Sequence, residues 1–179
     1  MDLDNWINIA KEVGAISEDG CEFSSSTMAC EAIEILLGKD NLKEAVRYYV
    51  AHKPGKELLR GVLWQLHPYS AMEECYKIFK ESNNLDEKID AIELLRVVAD
   101  KRVLKWVPEF LEHENPGIQN WGIGVVDQLL FSHLCDEEDV IEILDKARNH
   151  SSKYVREKAE EMYLIFNTEE DLEQIDTES

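Results

Sequence analysis

The spacing of its apolar triplets constrains this chain more than any other feature. Small or apolar residues recur at offsets 0, +4 and +7, which lie on one face of a helix. Met28, Ala32 and Ile35 form the first triplet, and Leu59, Leu63 and Leu66 the second. Lys88, Ile92 and Leu95 repeat it with a polar first member, and Ile118, Gly122 and Val125 with a glycine in the middle. Val155, Ala159 and Met162 complete the set. The first positions, 28, 59, 88, 118 and 155, are separated by 31, 29, 30 and 37 residues. Helix-length segments lie between them, over 41–52, 70–80, 101–112 and 137–149. One helix pair about every thirty residues implies stacking, because a single pair cannot bury its own apolar face.

Local signals agree with long helices. The chain has only 8 Gly and 4 Pro to interrupt it. Ser24-Ser25-Ser26-Thr27 reads as a cap before the helix at Met28, and Asn84-Leu85-Asp86 marks the start of the helix through Ile92, with Asp86 able to cap its free amides. Pro116 suits the first turn of a helix, where its missing N–H costs nothing. Ile89, Ile92, Leu95 and Val98, widened by Leu94 and Val97, predict a helix buried on most of its circumference. Gly122-x-Gly124 falls inside a helix and implies close helix packing. The expectation is an all-α protein, an α-solenoid of about four to five antiparallel helix pairs with capping helices at both ends.

One stretch resembles a known family. It runs from Lys88-Ile89-Asp90-Ala91-Ile92-Glu93-Leu94-Leu95 through Ala99-Asp100-Lys101-Arg102-Val103 and Val107-Pro108-Glu109-Phe110-Leu111 to Glu114-Asn115-Pro116-Gly117-Ile118. It resembles a HEAT-type repeat, in which a helix ends at a Gly/Ala-Asp turn and an acidic-Pro turn opens the next repeat. Gly38-Lys39-Asp40 repeats the first turn, and His150-Ser151-Ser152-Lys153-Tyr154-Val155-Arg156 the last. The resemblance spans roughly residues 27 to 163. It departs from the family at Leu63 and Ile92, where a small residue is usual, and the basic residue after the turn survives only as Arg156. The 37-residue step implies an insertion near 131–138. A single HEAT-like domain over 1–167 is expected. Its N-terminal cap is a helix over 4–13 with Trp6, Ile7 and Ile9 inward. Its last helix runs from 152 to about 166, followed by an acidic, disordered tail over 168–179.

The net charge is −19, from 38 acids and 19 bases. Six acids lie in the last eleven residues, so the body holds 32 acids against 19 bases, a net −13. Charge of that sign repels phosphate backbones and anionic lipid and attracts basic proteins. Neither nucleic acid nor a membrane is therefore an expected partner. The four cysteines contain no CxxC, and Cys30 and Cys75 fall on apolar helix faces. The start of the chain lacks the basic and apolar regions of a signal peptide, and no run of 18 apolar residues occurs. A cytoplasmic protein with reduced thiols is expected.

Catalytic patterns are not visible, and no enzyme, cofactor, metal or small-molecule substrate is expected. His52, His67, His113, His133 and His150 each fall at a predicted helix C-terminus, where a cation is stabilised. The paired acids Glu31 with Glu34, Glu73 with Glu74, Glu137 to Asp139, and Glu160 with Glu161 read as solvated charge on polar faces. The remaining candidate is a surface. In HEAT-type solenoids the second helix of each pair lines the concave side. Its +2 and +5 positions here are Cys30 and Ile33, Gly61 and Trp64, Asp90 and Glu93, Asn120 and Ile123, and Glu157 and Glu160. Trp64, Asp90, Glu93, Asn120, Glu157 and Glu160 are the candidate binding residues. An acidic groove around an aromatic anchor suits a basic protein partner. By type rather than motif, a small acidic chain of this kind resembles the immunity proteins of bacterial toxin systems, which implies a toxin or nuclease domain as partner. A general scaffold or adaptor is the alternative. A HEAT-like nucleic-acid-modifying enzyme is a third, opposed by the charge.

Overall fold

The computed structural model describes the backbone of residues 5–177 and the side chains of residues 5–165. It is all-helical. Among the described residues there are ten α-helices: α1 (Trp6–Glu12), α2 (Ser26–Leu37), α3 (Lys39–Val50), α4 (Lys56–Leu66), α5 (Tyr69–Glu81), α6 (Leu85–Val98), α7 (Val107–Glu112), α8 (Pro116–Phe131), α9 (Glu137–Ala147) and α10 (Lys153–Thr177). A 3-10 segment, Lys101–Trp106, precedes α7, and one isolated bridge joins Ile16 to Glu22.

The helices pack in a regular order. Chain neighbours touch, as in α5 on α6, α7 on α8 and α9 on α10. Next-but-one neighbours also touch: α3 on α5, α4 on α6, α6 on α8, and α8 on α10. The apolar triplets explain this order. Their +4 members, Ala32, Leu63, Ile92, Gly122 and Ala159, are all buried. On α8 and α10 all three members of the triplet are buried, and on α2 and α4 the outer two are half-buried. Lys88, the polar first member, lies half-buried with Nζ 5.6 Å from the centre of the Phe79 ring, so its stem covers apolar surface.

Helix starts follow short-range hydrogen bonds. Ser25 Oγ accepts from the Met28 N–H at 3.2 Å, and Asn115 Oδ1 accepts from Gly117 and Ile118 at 2.8 and 3.3 Å. The cap of α6 is Asn84, whose Oδ1 accepts from the Asp86 N–H at 3.0 Å, so Asp86 is the capped residue and not the cap. The segment 101–112 is not one helix. Pro108 lacks an N–H and clashes with the preceding turn, so it is tolerated only at a helix start. The chain accordingly runs as a 3-10 segment to Trp106 and begins α7 at Val107. The cap helix α1 buries Ile9 and Ala10, whereas Trp6 and Ile7 are 47% and 54% exposed, contrary to the inward placement expected of them. The backbone of α10 continues to Thr177, beyond the stop expected near 166. The tail assigned to 168–179 lies outside the residues whose side chains are described.

An aromatic cluster fills the centre. Tyr76 stacks on Trp106 with centroids 4.5 Å apart, and Phe79 meets Phe110 edge to face at 4.9 Å. Gly122 lets α8 approach this cluster, since a Cβ there would lie 2.6 Å from Phe110 Cβ. That atom is bonded to the backbone and cannot swing away. Gly122→Ala is therefore expected to destabilise by about 1–3 kcal/mol through overpacking. A urea midpoint equal to wild type would show that α7 and α8 shift apart without cost.

Candidate binding face

The even-numbered helices α4, α6, α8 and α10 carry all six candidate binding residues. Trp64, on α4, is 47% exposed and is not used as core. Its indole borders a recess of about 340 Å3 together with Glu57, Arg60, Arg96 and Gln128. Asp90 and Glu93 stand on α6, which packs against α4. Lys56 Nζ lies 2.8 Å from His52 Nδ1, and His52 Nε2 lies 2.7 Å from Asp90 Oδ2. An ammonium can only donate, so Nδ1 accepts and Nε2 carries the proton given to Asp90. Glu93 has no ion pair among the described residues. Burial, and after it the negative charge of Glu93, pushes the Tyr49 phenol up to about 12.

The row is less uniform beyond α6. Asn120 is half-buried and its Oδ1 is buried without a hydrogen-bond partner. Ile123, counted in the same row, is fully buried, because α8 is packed by α6, α7 and α10 and has little free face. Glu157 and Glu160 are exposed but locally matched. Glu157 pairs with Lys153 at 3.3 Å, and Glu160 accepts from Arg148 Nε at 2.7 Å, which raises the pKa of that arginine. Trp64, Asp90 and Glu93 thus sit on the packed pair α4 and α6, and the two acids of α10 are separately neutralised. Arg60 and Arg96 occupy offsets +1 and +8 of their triplets, beside the +2 and +5 positions. Following the neighbouring offsets along each helix is the signal that finds them.

Two paired acids are not solvated. Glu34 and Glu74 are each only 4% exposed. Glu34, on α2, accepts the N–H groups of Tyr69 at 2.5 Å and Ser70 at 3.1 Å, so it caps α5 from another helix. Glu74 accepts from Arg47 Nε at 2.8 Å. Both read as structural: Glu34 has both oxygens taken up by backbone N–H groups, and Glu74 has one taken up by Arg47. The histidines stay at helix ends. His52, His67 and His133 adopt φ values of 52°, 42° and 53° there. His113 and His150 repeat one turn: Nδ1 of each accepts at 3.0 Å from the N–H two residues on, that of Asn115 and of Ser152. All four cysteines are free, and burial pushes the Cys135 thiol up to about 11.

Outside the row, a groove of about 570 Å3 opens between α1 and α2, with Trp6, Ile7, Phe23 and Met28 among its walls. The sequence reading missed it because it put Trp6 and Ile7 in the core. Among the described residues no group of three or more His, Cys, Asp or Glu is placed to hold a metal, and no helix is long and apolar enough to cross a membrane. No protein-family model, curated protein or solved structure matches the chain.

Proposed function

We propose that this chain is a non-enzymatic binding protein that neutralises a basic protein, in the manner of an immunity protein acting on a toxin domain, most naturally a nuclease. It does so in a reducing cytoplasm, as a HEAT-like α-solenoid of four to five antiparallel helix pairs closed by α1 and by the last helix. The ordered packing of successive and alternate helices supports the solenoid, as does the repeated turn at His113 and His150. The observation that carries the functional reading is the half-exposed Trp64 on the helix pair that carries Asp90 and Glu93, in a chain of net charge −19. A nuclease is basic because its substrate is phosphate, so an acidic face draws it in and competes with the substrate. Trp64 supplies the large apolar contact that slows dissociation.

The test is capture followed by assay. Immobilised protein should retain a basic protein from its source cells, and that protein should cleave nucleic acid alone and stop when this chain is added. Retention only of neutral or acidic proteins, or a nuclease whose rate is unchanged by the complex, would end this reading. Salt gives an independent expectation. Raising ionic strength from about 10 to 150 mM shortens the Debye length from roughly 30 to 8 Å. The association rate should fall steeply and the dissociation rate should change little. Association rates equal at both strengths would remove the acidic face from the encounter.

A further inference from the structure

Arg96 stands apart from the other arginines. Arg47, Arg60, Arg102 and Arg148 each donate to a carboxylate, and Arg156 donates to two backbone carbonyls. Among the described residues Arg96 has no acceptor, and its Nε is buried without one. Glu93 lies one turn earlier on α6, at a spacing that allows a pair, yet neither residue has an ion pair. In a chain with twice as many acids as bases, Arg96 is the one arginine among the described residues without an acceptor. It is nonetheless held in place. Gly124 leaves room for its stem, since a Cβ there would lie 3.1 Å from Arg96 Cδ. Arg96 Cζ sits 5.1 Å from the centre of the Trp121 ring, a face that attracts a cation. The same side chain borders the recess beneath Trp64.

The geometry points to an occupant for that recess: a carboxylate side chain, an aspartate or glutamate of the bound partner, flanked by that partner's basic residues. This rests on the partner-binding reading above and names what one of its contacts must be. A planar guanidinium matches a carboxylate fork to fork, and it is costly to cover without one. The indole of Trp64 and the side chain of Val97 line the recess beside Arg96 and give the occupant an apolar wall. Three acids select the rest: Glu57, which lines the recess and pairs with Arg60, and Glu93 and Asp90, three and six residues before Arg96 on α6. They favour cations on either side of the occupant, and they oppose a phosphate dianion about twice as strongly as a singly charged carboxylate.

Three tripeptides test this without the natural partner: acetyl-Lys-Glu-Lys-amide, acetyl-Lys-Gln-Lys-amide and acetyl-Lys-Gln-Lys with a free C-terminus. Binding is read on 15N-labelled protein at the Arg96 Nε–H and Trp64 indole N–H resonances, at constant ionic strength. The first peptide should shift both signals saturably, with a dissociation constant in the millimolar range. The second should bind at least tenfold more weakly. Arg96→Gln should abolish the difference between them, and Arg96→Lys should restore part of it, with dispersed spectra showing both variants folded. Equal binding of the glutamate and glutamine peptides would mean that only the lysines are read, which overturns the proposal. A preference for the free C-terminus would assign the recess to a chain end instead and overturns it too. Once a basic partner is captured, its binding to Arg96→Gln protein should weaken at least tenfold. Unchanged binding there would overturn the carboxylate contact and leave the proposed function standing.

Discussion

Glu34→Ala is expected to unfold about 2–4 kcal/mol more easily than wild type, a shift of roughly 1–2 M in the urea midpoint. The carboxylate is 4% exposed and accepts the first two N–H groups of α5. Those groups have no partner within their own helix, because a helix leaves its first donors unsatisfied. Pro68, which precedes Tyr69, has no side chain able to cap them. Removing Glu34 therefore orphans one buried and one part-buried donor, takes a negative charge from a helix N-terminus, and leaves a small cavity. The cost exceeds an ordinary cap because the acceptor comes from α2. It ties the outer end of the helix stack to α5, so local fraying cannot relieve its loss. Glu34→Gln keeps one acceptor oxygen and should recover part of the stability. Glu73→Ala, an exposed neighbour of the buried Glu74, should cost less than about 0.5 kcal/mol. A Glu34→Ala midpoint within error of wild type would mean that water replaces the carboxylate at Tyr69 and Ser70.

Glu34 also marks the limit of what the sequence displays. Periodicity reports which face of a helix is apolar, and it located the +4 positions from Ala32 to Ala159, all of them buried. Helix starts such as those at Ser25 and Pro116 were legible because a cap bond spans only two or three residues and a first-turn proline needs no bond. The Asn84 cap was missed by two positions because both Asn84 and Asp86 are good capping residues, and backbone geometry decides between them. Glu34 and Glu74 bond partners 35 and 27 residues away, which no local pattern can show. The surface placement of the row was legible at Trp64, and in part at the half-buried Asp90 and Glu93. It failed at Ile123, because the free face of a helix depends on how many helices surround it. It also passed over Arg96, whose importance lies in an absent partner rather than in its position.

Reversing Asp90 and Glu93 to Lys should slow association with a basic partner at least a hundredfold at low salt, since rim charges act chiefly on encounter. These two acids stand on α6, which packs against the helix that carries Trp64, and the variant replaces two attractive charges with two repulsive ones. Adding Glu157→Lys and Glu160→Lys should deepen the effect by less than the first pair. Lys153 and Arg148 already neutralise those acids, so the partner sees a weaker field from them. Glu142→Lys is the control, being exposed and without an ion pair among the described residues. Glu109 is unsuited to that use, because it accepts from Tyr76 Oη at 2.7 Å and Lys80 Nζ at 2.6 Å, which hold its carboxyl below the usual range. Trp64→Ala should leave the association rate near wild type and hasten dissociation about thirtyfold, the equivalent of about 2 kcal/mol. At 47% exposure its loss opens little cavity, so the variant should keep the wild-type helical spectrum and most of its stability. The two sets of variants separate the two roles: acids for approach, indole for residence. If the Asp90/Glu93 reversal associates as fast as wild type, the acidic face is not the interface. The charge of this chain would then serve solubility alone, and the partner's site would have to be sought elsewhere, first in the apolar groove between α1 and α2.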